Sequence, residues 1–111
     1  MRKLLVLALA AAVLAVVATQ ALAASSIKVG DNYFVRPSGV PTVTVKKGTT
    51  VTWRFVGSNF HTVVVRSGPV KFRSGAKSSG TYKKKLTRAG TYRIYCSIHG
   101  AKDQSMKLVV K

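Results

Sequence analysis

Short runs in which apolar and polar residues alternate dominate the chain after residue 24. In the run 50–56, Val51, Trp53 and Phe55 fall on one face of a predicted strand, with polar residues between them. Gly, Pro, Ser and Asn separate the runs, and no long helical period follows residue 24. The pattern predicts an all-β domain, folded as a sandwich or barrel. The predicted strands are 26–29, 42–46, 50–56, 62–66, 81–86, 91–96 and 105–111.

The strand pattern is least regular in residues 31–41 and around the lysine run 83–85. Proline and glycine residues predict an irregular connection across 31–41. The lysine run is interpreted as a solvated face of a strand. Lys84 nevertheless shares its side of the strand with Leu86, so it should point inward unless the strand is bulged or lies at an edge.

The first 23 residues have the pattern of a secretory signal peptide. Arg2 and Lys3 precede an uncharged apolar run at 4–17, and Ala-Leu-Ala at 21–23 fits the small-residue rule for cleavage. We therefore expect a signal peptide at 1–23, one domain at 24–111, and a periplasmic or extracellular location. An uncleaved membrane anchor is the alternative, although the apolar run is short for a bilayer span.

The chain is strongly basic, with 19 Lys and Arg residues against two acidic residues and a formal net charge of +17. A charge of this size favours acidic partners, and an exported protein meets these as acidic proteins, anionic envelope polymers or lipid headgroups. Export also argues against nucleic acid as the partner. Two carboxylates, Asp31 and Asp103, are too few to support hydrolysis by paired acids, and we expect no enzyme activity.

Cys96 is the only cysteine, so an internal disulfide is impossible. An unpaired cysteine in an exported protein indicates a reactive thiol, an intermolecular bridge or a metal ligand; a buried, inert thiol is the alternative. His99 follows at C-x2-H spacing, and His61 is the only other histidine. All three fall at predicted strand ends, and a thiolate with two imidazoles is the donor set of a blue-copper site. Zinc would prefer four firm donors.

Three segments resemble the plastocyanin-like cupredoxins, which are small blue type 1 copper proteins. GTYRIYCSIH at 90–99 is similar to their G-x-Y-x-F/Y-Y-C-S-P-H segment, and VKKGTTVTW at 45–53 and HTV at 61–63 are similar to upstream segments. The resemblance covers nearly all of 24–111. It implies a Greek-key β-sandwich that binds one copper through His61, Cys96 and His99 and transfers single electrons between Cu(II) and Cu(I).

The resemblance also implies a docking rim and two departures from the family pattern. His99 would be the ligand at the solvent edge, and the residues expected around it as an apolar rim are Phe60, Ile98, Gly100 and Ala101. Ile98 stands where the family often has Pro, and Thr62 where it often has Asn. Both changes should alter hydrogen bonding and loop stiffness around the site rather than metal binding.

Two residues compete for the axial position. Met is the common axial donor, but Met106 follows His99 at x6 spacing, whereas the family spacing is His-x4-Met. Gln104 stands at x4 and is a known type of axial alternative. An ungapped alignment favours Gln104 as the axial ligand and makes Met106 core packing, with Met106 retained as the alternative.

Three functional hypotheses follow. The first is a monomeric, exported electron carrier whose redox partner is an acidic protein, such as a c-type cytochrome or an oxidase or reductase domain. The second is a module that binds or delivers copper, and the third is a cationic module for anionic envelope surfaces with a structural metal site. Delivery sites are typically rich in methionine, and 24–111 contains only Met106. Electron transfer is therefore the favoured function.

Overall fold

A computed structural model describes residues 26–111, and this range contains eight strands and no helix. The strands are β1 (Ser26–Gly30), β2 (Tyr33–Phe34), β3 (Thr42–Val45), β4 (Thr50–Phe55), β5 (Val64–Ser67), β6 (Thr81–Lys85), β7 (Gly90–Tyr95) and β8 (Ser105–Val110). Within these residues no helix is long and apolar enough to cross a membrane. The predicted signal peptide at 1–23 lies outside the described residues.

The strands form two four-stranded sheets. Sheet A has the order β2-β1-β4-β6 and sheet B the order β3-β8-β7-β5. The pairs β1–β4 and β3–β8 are parallel, whereas the other pairs are antiparallel. Parallel neighbours cannot be joined by a tight hairpin, so the chain crosses between the sheets. The predicted all-β sandwich is confirmed.

The core lies between the two sheets and is formed by the alternating apolar residues of their inner faces. Trp53, Tyr92 and Leu108 are each 0% exposed. The Trp53 ring lies close to Phe72, with 6.0 Å between the centroids, so the connection between β5 and β6 also covers the core. Tyr92 donates its hydroxyl to the backbone oxygen of Arg88 at 2.8 Å, which satisfies its buried polar end.

One end of the sandwich gathers several strand ends, and we call it the loop pole. The parallel strands β1 and β4 both end there, and so does β7, while β5 and β8 begin there. The Cys96 N–H donates to the Gln104 oxygen at 3.1 Å, which extends the β7–β8 pairing by one step. The residues that directly follow β7 therefore lie beside the residue that precedes β8.

The strand predictions need two corrections. Residues 31–41 contain the short strand β2, which pairs with the end of β1 through Val29 and Phe34. The strand predicted at 62–66 is instead Val64–Ser67, because the Thr62 and Val63 N–H groups donate to side-chain atoms of Cys96 and Ser74 rather than to a neighbouring strand. The edge position of β6 accounts for Lys84, whose Nζ lies 5.7 Å from the centre of the Phe72 ring.

We predict that Leu108→Ala lowers the free energy of unfolding by about 2–5 kcal/mol, because it leaves a cavity between the sheets. Val109 is the matched control, since it neighbours Leu108 on the opposite, half-buried face of β8. Val109→Ala should cost less than about 1 kcal/mol. Urea unfolding of the variants measures both values, and equal losses would contradict the inward assignment of Leu108.

Candidate metal centre

Three donor side chains meet at the loop pole. His61, Cys96 and His99 each offer one ligand atom, and these atoms lie within 4.8 Å of one another. Cys96 Sγ is 3.5 Å from His99 Nδ1, and the two imidazole rings are 4.9 Å apart between centroids. His61 and Cys96 are both 0% exposed, whereas His99 is half-buried. The structure thus brings together the three donors that the sequence analysis selected.

Gln104 adds a fourth polar side chain. Its Nε2 donates to the backbone oxygens of Gly30, at 3.2 Å, and Tyr33, at 3.0 Å. Those two bonds orient the amide, so Oε1 faces His61 Nδ1 at 2.9 Å. Met106 is the second residue of β8, where it lies in the core and pairs with Ile94 of β7. This arrangement favours Gln104 over Met106 as the axial ligand, and that assignment stays a prediction.

The other nitrogen of His61 is held by Asp31, which directly follows β1. Asp31 Oδ1 lies 3.0 Å from His61 Nε2. The same carboxylate accepts the backbone N–H groups of Ser58 and Asn59, each at 2.9 Å. The Ser58 N–H, then His61 and the Asn59 N–H, lower the pKa of Asp31 from 3.8 to about 2. Asp31 therefore remains ionised and fixes the loop that delivers His61.

Both nitrogens of His61 face hydrogen-bond acceptors. A neutral imidazole has one N–H and can donate to only one acceptor. If Nε2–H donates to Asp31, the Nδ1 lone pair and the Gln104 Oε1 lone pairs point at each other across 2.9 Å. A metal ion bound to both atoms removes that conflict. The buried polar contacts of His61 therefore fit a metal ion on its Nδ1 side.

The sulfur of Cys96 has its own hydrogen-bond donors. The Thr62 N–H donates to Sγ at 3.4 Å, and the Thr62 hydroxyl lies 3.8 Å from it. Burial by itself raises the pKa of the Cys96 thiol. The N–H groups of Thr62, His99 and Ile98, with the His99 side chain, outweigh burial and lower that pKa overall. The arrangement favours the thiolate, which is the form that binds metals.

Thr62 also connects the two loops that carry the donors. Its hydroxyl accepts the Ser97 N–H at 2.8 Å, and it lies 2.8 Å from the Ser97 hydroxyl. On the other side of Cys96, the Gly100 N–H donates to the Cys96 oxygen at 2.9 Å, with Gly100 at a φ of 90° that favours glycine. The loop around His99 is therefore tied at both ends.

The predicted docking residues are sequence neighbours of the two histidines. Phe60, directly before His61, is 58% exposed, and Ile98, directly before His99, is 51% exposed. Gly100 and Ala101, which follow His99, are half-buried. Their role as an apolar docking rim stays a prediction.

Asp31 is the site residue that sequence reasoning missed. It was noted only as one of two acidic residues, and no short motif connects it to His61, which is 30 residues away. The available signal was its position two residues after the first predicted strand, because parallel pairing with β4 brings that end beside the loop before His61. Thr62 was identified as a departure from the family pattern, but its contact with the sulfur was not specified.

Comparison with known proteins gives structural neighbours only. No protein-family model and no curated protein sequence matches this chain. The Cu(I) form of an amicyanin mutant aligns with a TM-score of 0.65 and 26% identity over 79% of this chain and 82% of that one. A purple cupredoxin from Nitrosopumilus maritimus aligns with a TM-score of 0.65 and 23% identity over 78% of this chain and 99% of that one.

A third neighbour is much longer than this chain. The copper-containing nitrite reductase from Thermus scotoductus SA-01 aligns with a TM-score of 0.62 and 22% identity. The match covers 78% of this chain but only 22% of the reductase. These likenesses confirm the cupredoxin-like fold that the sequence motifs implied. The chain therefore has a cupredoxin-like fold, and the thiol and two imidazoles at its loop pole form a donor set that supports one copper ion.

We predict that Asp31→Asn lowers the melting temperature of the metal-free protein more than Asp103→Asn does. Asn retains the shape but not the charge that the Ser58 and Asn59 N–H groups and His61 bind. Because the folded-state pKa is lowered, this stabilisation is fully present above about pH 4 and is lost as the pH falls towards 2.

Calorimetry at several pH values measures this effect. The difference in melting temperature between wild type and Asp31→Asn should narrow between about pH 4 and pH 2. The exposed Asp103 provides the control, because its substitution removes the same charge elsewhere on the molecule. A difference that does not change with pH would show that the Asp31 charge does not hold the loop.

Proposed function

We propose that this protein is an exported one-electron carrier that binds one copper ion through His61, Cys96 and His99, with Gln104 as the axial ligand. The observation that carries the proposal is the meeting of one thiol and two imidazoles within 4.8 Å at one pole of a cupredoxin-like sandwich. Copper bound there would supply a Cu(II)/Cu(I) couple for single-electron transfer.

The donor set favours copper over other metals. A thiolate with two imidazoles suits copper, and Gln104 would supply the weak additional oxygen that blue-copper sites accept beside their three strong donors. Structural zinc sites normally have four firm tetrahedral donors, and an amide oxygen is a poor fourth. Catalytic copper clusters would need more histidines than the two in this sequence, and both already belong to this site.

The protein's own residues hold the donors and control access. Asp31 and Gln104 fix the His61 ring from its two sides, and the Thr62 N–H supports the sulfur of Cys96. Complete burial of His61 and Cys96 excludes water from that side of the site. Donors that are held in place need little rearrangement when the charge of the site changes by one electron, which keeps electron transfer fast.

We propose that the half-buried edge of His99 is the route by which electrons enter and leave. Phe60 and Ile98 would contact the partner around it, at 58% and 51% exposure. The net charge of +17 favours an acidic partner, and a c-type cytochrome or an oxidase or reductase domain fits that requirement. The amicyanin likeness supports a carrier, and the nitrite reductase likeness covers too little of that enzyme to support catalysis.

We predict that Cu(II) gives wild type an intense thiolate charge-transfer colour and that Cys96→Ser abolishes it. Serine retains the size of the side chain but removes the sulfur that produces the transition. Exposed Ser79→Ala is a control that should keep the colour. Absorption spectra during Cu(II) titration measure the effect, with circular dichroism to verify the fold. A colourless wild type that binds Zn(II) more tightly than copper would overturn the copper assignment.

We predict that Gln104→Met raises the reduction potential, because a thioether donates more weakly to Cu(II) than an amide oxygen does. Met106→Leu is the matched control, since Met106 is equally buried but belongs to the core cluster. It should leave the potential and spectrum nearly unchanged. Voltammetry of both copper-loaded variants measures the shifts. A shift with Met106→Leu and none with Gln104→Met would place Met106 in the axial position.

A further inference from the structure

The outer face of sheet A carries a dense group of cations. We call it the cationic face, and its exposed cations are Lys28 on β1, Arg54 on β4, and Lys83 and Lys85 on β6. The register pairs Lys28 with Arg54, and it pairs Thr52 with Lys83 and Thr50 with Lys85. From strand geometry the four cations fall within about 10 by 13 Å.

The face has no carboxylate to balance these charges. The chain's two acidic residues are Asp31, which lies beyond the end of β1, and Asp103, in the loop before β8. Lys28 and Arg54 stand directly opposite each other on neighbouring strands, a placement of like charges that destabilises a sheet. An external anion that binds beside Lys28 and Arg54 would reduce this electrostatic repulsion.

On β1, β4 and β6 the other side chains of the face are hydroxyls. Ser26, Thr50, Thr52 and Thr81 alternate with the cations along the three strands. The apolar residues of the same strands, such as Trp53, face the core. Protein interfaces are anchored by aromatic and apolar side chains at their centre, whereas the one aromatic side chain of this face, Tyr33, lies on the edge strand β2 over Gly30. A single ring at one edge is also a poor platform for stacking successive nucleobases.

We propose that the cationic face docks this protein on an anionic phospholipid surface. Lysine, arginine and hydroxyl groups are donors for headgroup phosphates, and each cation near an anionic bilayer strengthens binding by about a factor of five. The cations are spread in two dimensions over three strands, which fits a plane of headgroups better than one linear polymer. Because β1, β4 and β6 project no apolar side chain from the face, binding is peripheral and salt-reversible.

Docking by this face leaves the metal centre accessible. The face lies along the strands of sheet A, whereas His99, Phe60 and Ile98 lie at the loop pole, beyond the strand ends. A molecule lying on a membrane by sheet A would present its loop pole sideways, to partners that move along the same surface. The docking proposal does not depend on which metal the centre binds.

The experiment compares two variants with equal loss of charge. The face variant changes Lys28, Arg54, Lys83 and Lys85 to Gln. The opposite-face control changes four other cations to Gln. Three are on sheet B, namely Arg66, Arg93 and Lys107, and the fourth is Lys111, which follows β8. Cosedimentation with phosphatidylcholine vesicles, with and without phosphatidylglycerol, is measured at low and physiological salt. All proteins are prepared without the signal peptide predicted at 1–23, so that its apolar run cannot bind the vesicles.

The proposal expects wild type to bind only the phosphatidylglycerol vesicles, with binding weakened by salt. The face variant should bind at least about tenfold more weakly, and the control should lose much less. Equal losses in the two variants would show that net charge alone is responsible and would overturn the proposal. Face-dependent binding to a soluble polysulfate, with none to the vesicles, would overturn it in favour of a polymer.

A second measurement uses wild type alone and does not require the variants to fold. Vesicles should protect Lys28, Lys83 and Lys85 from amine acylation, whereas Lys102, before β8, and Lys107, on the outer face of sheet B, should be modified equally with and without vesicles. Mass spectrometry of the modified protein reports each lysine. Protection of Lys102 and Lys107 in place of the face lysines would overturn the proposed orientation.

Discussion

The fixed position of His61 is the constraint on which the metal centre depends. Asp31, at the end of β1 in sheet A, has its Oδ1 3.0 Å from His61 Nε2. Gln104, directly before β8 in sheet B, has its Oε1 2.9 Å from His61 Nδ1. Gln104 in turn donates to Gly30 and Tyr33, so one buried network joins both sheets at the loop pole. Since Asp31 and Gln104 both present acceptor oxygens to the His61 ring, a metal ion bound at Nδ1 fits this arrangement.

The remaining donors are held by backbone rather than by side-chain charge. Cys96 continues the β7–β8 pairing, and its sulfur accepts the Thr62 N–H from the facing loop. His99 lies three residues later in a loop closed by Gly100 and is half-buried. The loop pole therefore keeps His61 and Cys96 out of contact with solvent and leaves part of His99 accessible.

The sequence predicted most of the fold because alternation has a direct physical cause. Val51, Trp53 and Phe55 face the core as the pattern required. The alternation pattern did not predict β2, because a strand of two residues has no periodic signal. It also did not predict the role of Asp31, because the parallel pairing of distant segments brings that carboxylate to His61. Cysteine and histidine are rare here and could be selected by count, whereas an aspartate is recognised only by its contacts.

The most direct test of the preorganised site is nitrogen NMR of the histidine side chains in the Cu(I) form, which is diamagnetic. The account predicts that His61 keeps a slowly exchanging proton on Nε2, hydrogen-bonded to Asp31, while Nδ1 shows metal coordination. Metal-free protein should show the same Nε2–H bond to Asp31. A proton on Nδ1 with the metal on Nε2, or a doubly protonated His61 beside bound copper, would contradict it.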